Sequence, residues 1–249
     1  MRGVLVATAF LTRVPVPLVA GAADVGLAAR WFPLIGGLLG AAAALIAWTM
    51  TEVLDVPAAL TATLAVGLGA WATGAIHLDG LADTVDGFGA GRDRDEVLRI
   101  MRHPPIGTYG AAALIFVIGV KVTAIAALLD RGAALPFLVA APAISRWTIP
   151  ALAAWLPYAR TEGGLGQAVT HQRDTIGLAA ATAVTALIAI GALRVDALIV
   201  WAVAALTAAW IARTARRRIG GVTGDVFGAG VELTETSVLL CGVLLTGRP

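Results

Sequence analysis

The chain has 249 residues, 59% of them hydrophobic and 14% charged, with a mean hydropathy of +0.86. Soluble domains carry roughly 25% charged residues, and one of this size buries only about 70–75% of its unfolded surface, so a soluble fold is excluded. The formal charge of +2, from 18 basic and 16 acidic residues, gives no support for nucleic-acid binding. Cys241 is the one cysteine, which excludes an internal disulfide and a multi-thiolate metal site and leaves it a packing role.

The N-terminal segment has the outline of a signal peptide: Arg2, an apolar run from Val4 to Leu11 and small residues at Ala20–Ala23. Arg13, Pro15 and Pro17 interrupt the part that should be most apolar, so it reads as a surface or partly embedded arm held extended by its prolines. Apolar runs of about 20 residues then predict seven spans: Trp31–Leu54, Pro57–Leu78, Thr108–Leu129, Ala133–Leu156, Ile176–Leu193, Val195–Ala212 and, weakest, Val231–Thr246. The fold class is all-α, a polytopic bundle in the lipid bilayer forming one membrane-embedded catalytic domain over 1–249.

Basic residues mark cytoplasmic loops. The N-terminal arm and the connections 79–105, 157–175 and 213–230 hold thirteen, among them Arg160 and Arg173, whereas the opposite connections and the tail hold three: Arg131, Arg194 and Arg248. The expected placement is a multi-pass protein of the cell inner membrane, with its N-terminus and long functional loops in the cytoplasm.

The strongest chemical signal is HLDGLADTVDG at His77–Gly87. On a continuous helix Asp79, Asp83 and Asp86 fall within about 40° of one another, and their neighbours are Leu, Ala, Val and Gly rather than compensating cations. A divalent cation relieves the repulsion, and hard oxygen donors select Mg2+, with Mn2+ able to substitute. His77 points elsewhere on that helix, either as a hydrogen-bonding helix-end residue or as a proton-transfer contact.

Gly89–Gly110 follows, with arginines suited to phosphate, including Arg92 and Arg102, and an amphipathic helix carrying Val97, Leu98 and Met101 along the membrane surface. In Gly220–Glu235, GGVTGDVFGAGVELTE, Asp225 and Glu232 share a helical face with Glu235 displaced from it. The glycines there read as a turn allowing close approach to a ligand, with Thr223 and Gly224 as contacts. Lys121 and the Ser145–Arg146 pair lie inside spans, where a charge costs at least about 2.5–3.5 kcal/mol; they either snorkel or meet a phosphate or a carboxylate. Arg13 is expected to do likewise or to be inert. Such a set suits metal-assisted phosphoryl transfer directly to a bound hydroxyl.

These stretches, with FLTRVPVP at Phe10–Pro17, FPLIGGLLG at Phe32–Gly40, RIMRHPPIGTYG at Arg99–Gly110, SRW at Ser145–Trp147 and EGGLG at Glu162–Gly166, resemble the adenosylcobinamide-GDP ribazoletransferase (cobalamin synthase) family, in family order across nearly the whole chain. The resemblance implies an Mg2+-dependent reaction. A hydroxyl of α-ribazole, or of its 5′-phosphate, attacks the cobinamide-linked phosphorus of adenosylcobinamide-GDP and GMP leaves. It implies that Asp79, Asp83 and Asp86 hold metal and pyrophosphate, that Asp225 with Glu232 completes the site or accepts the hydroxyl proton, and that Lys121 and Arg146 meet charge on the nucleotide or leaving group. One departure is His103–Pro104, where the family usually has Asp-Ser. DTVDGFGAGR at Asp83–Arg92 is also similar to the CDP-alcohol phosphotransferase motif, whose second aspartate pair does not follow. A corrinoid transporter would instead place its polar groups near mid-membrane in broken helices. The sequence leaves room for a homo-oligomer.

Overall fold

The computed structural model describes residues 2–17, 21–103, 105–164, 166–170 and 174–247. Ala20, Pro104, Leu165, Arg173 and Arg248, which entered the readings above, lie outside those residues.

Among the described residues every element longer than a single bridge is a helix. Helices α1 (Arg2–Leu11) and α2 (Ala22–Ala28) precede α3 (Phe32–Trp48), which ends in a π-helical turn at Thr49–Val53. Next come α4 (Ala58–Thr73), α5 (Ile76–Ala90) and the short α6 (Arg94–Ile100), then α7 (Thr108–Asp130) and α8 (Ala134–Trp155). The chain closes with α9 (Gln167–Thr170), α10 (Thr175–Leu193), α11 (Ala197–Ile219) and α12 (Gly224–Thr246).

Five runs are long and apolar enough to cross a membrane: Asp24–Val53, Thr108–Asp130, Ala134–Trp155, Thr175–Ile219 and Gly224–Thr246; counting the bent pair α4–α5 gives six. This is a polytopic membrane bundle. The run Thr175–Ile219, read from sequence as two spans, folds back at Arg194, whose φ is +54°. Trp147 proves the reversal: its Nε1 donates to Thr182 at 2.9 Å while its ring lies 5.2 Å from that of Trp201. On a straight rod those two partners would stand about 28 Å apart.

Helix α8 is the axis of the bundle, buried without a break from Ala143 to Ala153. Small residues let its neighbours reach its backbone. A Cβ on Gly36 or Gly40 of α3 would fall 2.2 Å from the Pro142 carbonyl oxygen or 2.3 Å from that of Leu138.

Three expectations need correcting. The span Pro57–Leu78 is not one helix, because the chain bends by 90° between α4 and α5. Gly74 and Ala75 both adopt left-handed backbone, with φ of 64° and 57°, a conformation that ends a helix. The N-terminal arm is helical rather than extended as far as Leu11, because Val6, Ala7 and Leu11 bury against the bundle. Beyond it the Arg13 amide donates to the Ala72 carbonyl at 2.8 Å, pinning the arm at the bend. Finally, from Gly224 onward the glycine-rich segment is the first half of α12 rather than a turn.

Candidate active site

The site is built where α5 crosses α12. Gly80 and Gly228 meet backbone to backbone: a Cβ on Gly80 would lie 2.8 Å from the Asp225 carbonyl oxygen, and one on Gly228 would lie 3.0 Å from that of His77. Because nothing separates the two helices, Asp79 and Asp83 of α5 face Asp225 in the first turn of α12. The Thr223 side chain caps α12, accepting from the Val226 amide at 3.3 Å and donating to Asp225 Oδ2 at 3.2 Å.

Arg160 reaches Asp225 from a separate segment. Residues 157–159 are stitched to Val222 by a parallel bridge, with the Ala159 amide donating to the Val222 carbonyl at 2.8 Å and the Val222 amide to that of Pro157 at 2.9 Å. Arg94 of α6 locks the bridge by donating to the carbonyls of Ala159, at 2.6 Å, and Ile219, at 3.2 Å. Arg160 Nη2 then donates to Asp225 Oδ2 at 2.6 Å, leaving Oδ1 free of protein partners among the described residues.

Two cavities flank α5. The first, of 260 Å³, is lined by Phe10, His77, Asp79, Ile149, Tyr158, Arg160, Gly224, Asp225 and Phe227 among others. Burial holds the Tyr158 phenol above its ordinary pKa, so it is a neutral hydrogen-bonding group. The second, of 430 Å³, is lined by Asp83 and Asp86 with Arg99, His103, Thr108 and Tyr109.

Asp79, Asp86 and Asp225 act on Asp83 as like charges, with Arg160 a cation opposing them. Asp86 is already satisfied: it accepts from the Gly107 amide at 2.7 Å and the Gly110 amide at 2.8 Å, capping the N-terminus of α7. A Cβ on Gly107 or Gly110 would lie 2.4 Å from the Asp86 carboxylate, so a side chain at either position would push that carboxylate out of its cap. No group of three or more His, Cys, Asp or Glu side chains among the described residues is arranged to hold a metal ion alone. The donor set, hard oxygens short of positive charge, suits Mg2+, which takes one or two carboxylates and completes its shell with substrate phosphates and water.

Glu232 lies two turns along α12 from Asp225, about 10 Å by helical rise, and the structure places it elsewhere. Lys121 Nζ donates to Glu232 Oε2 at 2.7 Å and to Glu235 Oε1 at 2.8 Å. Arg146 Nη1 donates to Glu235 Oε2 and to Ser145 Oγ, and Ser145 donates to Glu235. This buried network ties α7 and α8 to α12 around a 90 Å³ cavity. His77, 5% exposed, lies between the network and the first cavity, in the field of Arg146, Glu235 and Lys121, and its Nε2 has no partner among the described residues.

The remaining expected contacts scatter. Arg13 packs against Gly74 at the bend. Arg92 is exposed, and Arg102 pairs with Glu162 at the surface. Sequence reasoning missed Arg160, Tyr158 and Phe227 as site residues. Arg160 carried no local signal, because only the bridge to Val222 brings it to Asp225.

Fold and site together define an integral-membrane helical protein with clustered acids at one end of its bundle. The family described as CobS, cobalamin-5-phosphate synthase, matches residues 3–244, and the chain belongs to it. Proteins named adenosylcobinamide-GDP ribazoletransferase are similar over nearly their whole lengths. That of Thiobacillus denitrificans is 36% identical, covering 98% of this chain and 96% of the relative. That of Leptothrix cholodnii is 38% identical over 94% and 92%, and that of Pseudomonas aeruginosa strain PAO1 38% over 96% and 97%. No solved structure matches.

Proposed function

We propose that the protein joins α-ribazole, or its 5′-phosphate, to adenosylcobinamide-GDP with release of GMP, at a site on the cytoplasmic face of the inner membrane. The observation that carries this reading is the Gly80–Gly228 contact. It sets two carboxylates of α5 against one of α12, in a chain whose relatives are ribazoletransferases end to end.

In the reaction the ribazole hydroxyl oxygen bonds to the cobinamide-linked phosphorus. The bond from that phosphorus to the bridging oxygen breaks, and GMP leaves with the oxygen. Asp225 receives the hydroxyl proton on Oδ1, its other oxygen being fixed by Arg160 and Thr223. Asp79 and Asp83 would hold Mg2+, which when bound neutralises phosphate charge. The test combines purified protein, Mg2+, adenosylcobinamide-GDP and α-ribazole, with GMP as the readout. GMP release is expected; its absence, with CMP released from a CDP-diacylglycerol donor instead, overturns the reading.

A further inference from the structure

The two cavities beside α5 differ in chemistry. In the 260 Å³ cavity Phe10, Ile149, Val169 and Phe227 make apolar walls, while Asp79 and the Arg160–Asp225 pair supply its charge. Its volume lies below the roughly 300–1,000 Å³ of sites for drug-sized ligands, which suits one nucleoside and excludes a corrinoid. A Cβ on Gly224 would fit without a clash, in ordinary van der Waals contact with its nearest atom, the Gly166 amide nitrogen, 3.9 Å away. The wall also includes the imidazole of His77, a buried polar side chain whose Nε2 has no partner among the described residues.

The 430 Å³ cavity is larger and offers cationic and hydrogen-bonding groups, Arg99, His103 and Thr108, with the Tyr109 ring beside them. Those groups suit a nucleoside diphosphate. Asp79 belongs to the first cavity and Asp83, one turn along α5, to the second.

Resting on the function above, we propose that the substrates are divided between these cavities. The base of the acceptor nucleoside occupies the apolar one behind Asp79 and Asp225. The guanosine diphosphate end of the donor occupies the one in front of Asp83, with Arg99 and His103 against its phosphates. The acceptor hydroxyl and the phosphorus it attacks then meet over the carboxylates, and GMP departs through the second cavity. A benzimidazole, with one polar edge, suits the first cavity. A purine would leave several ring and exocyclic groups unpaired against Phe10, Ile149 and Phe227.

The test is calorimetric binding to the full-length protein in lipid nanodiscs with Mg2+, using α-ribazole and GDP as separate probes. Gly224→Leu, which fills the first cavity, should weaken α-ribazole at least 30-fold and GDP less than twofold. Gly224→Ala should do the same to a smaller degree, and it introduces no clash. Arg99→Ala with His103→Ala should weaken GDP at least tenfold and leave α-ribazole within twofold. A crossed pattern, or equal loss of both probes in either case, overturns the division. GMP release by the wild-type protein is measured in parallel. Its absence would instead overturn the function on which the division rests.

Discussion

Replacing Lys121 with Met tests whether the buried ionic network holds the bundle together. The ammonium donates to Glu232 at 2.7 Å and Glu235 at 2.8 Å, and the side chains of Lys121 and Glu232 are only 7% and 8% exposed. After the substitution Glu235 keeps Arg146 and Ser145, so the uncompensated charge falls on Glu232. Removing one partner of a buried pair costs about 3–5 kcal/mol, whereas exchanging both for apolar groups is often neutral. At about 2–4 °C per kcal/mol for a chain of this length, the single variant should unfold about 6–20 °C lower than wild type in the same detergent. Lys121→Met with Glu232→Met should recover most of that loss. A single variant within 2 °C of wild type, or a double variant no better than the single, refutes the reasoning.

Asp83→Asn should reduce GMP release at least a hundredfold while the protein still inserts and melts as wild type; normal turnover would remove Asp83 from the chemistry. Asp86→Ala deletes the cap of α7 and should lower stability by about 0.5–2 kcal/mol, measurable as a lower melting temperature, with Asp86→Asn milder. Gly228→Val pushes a side chain into the His77 carbonyl and should cost about 1–3 kcal/mol together with most of the activity. An active, fully stable variant would show that α5 and α12 tolerate separation. Chelation by EDTA should abolish GMP release, with Mg2+ or Mn2+ restoring it; undiminished turnover in EDTA would exclude a divalent ion.

Much of this architecture was legible because lipid imposes simple rules. Apolar runs of span length located α3, α7, α8, α10 and α11, and the unbroken spacing of Asp79, Asp83 and Asp86 matches the helix α5 that carries them. Lys121 and Arg146 were conspicuous as charges among apolar neighbours, and both contact carboxylates. Glu235 was harder to see, since periodicity displaced it from the face of Asp225 and Glu232. Residues three apart on a helix are nevertheless neighbours, so one lysine serves both glutamates. Hydropathy has no view of φ, which hid the break at Gly74–Ala75. Asp86 looked like its two companions because its partners lie 21 and 24 residues away, at a distance no local pattern reaches.

A junction made from two backbones has no rotamers to change. The gap across which Asp79 and Asp225 look at each other is therefore a stiff dimension, set by where Gly80 rests on Gly228. It can alter only by displacing an entire membrane helix along with the neighbours packed on it. Whatever adjustment successive ligands demand must fall to side chains on the cavity walls, such as Phe10, Phe227 and Arg99, while the acids stay put like the fixed jaw of a vice.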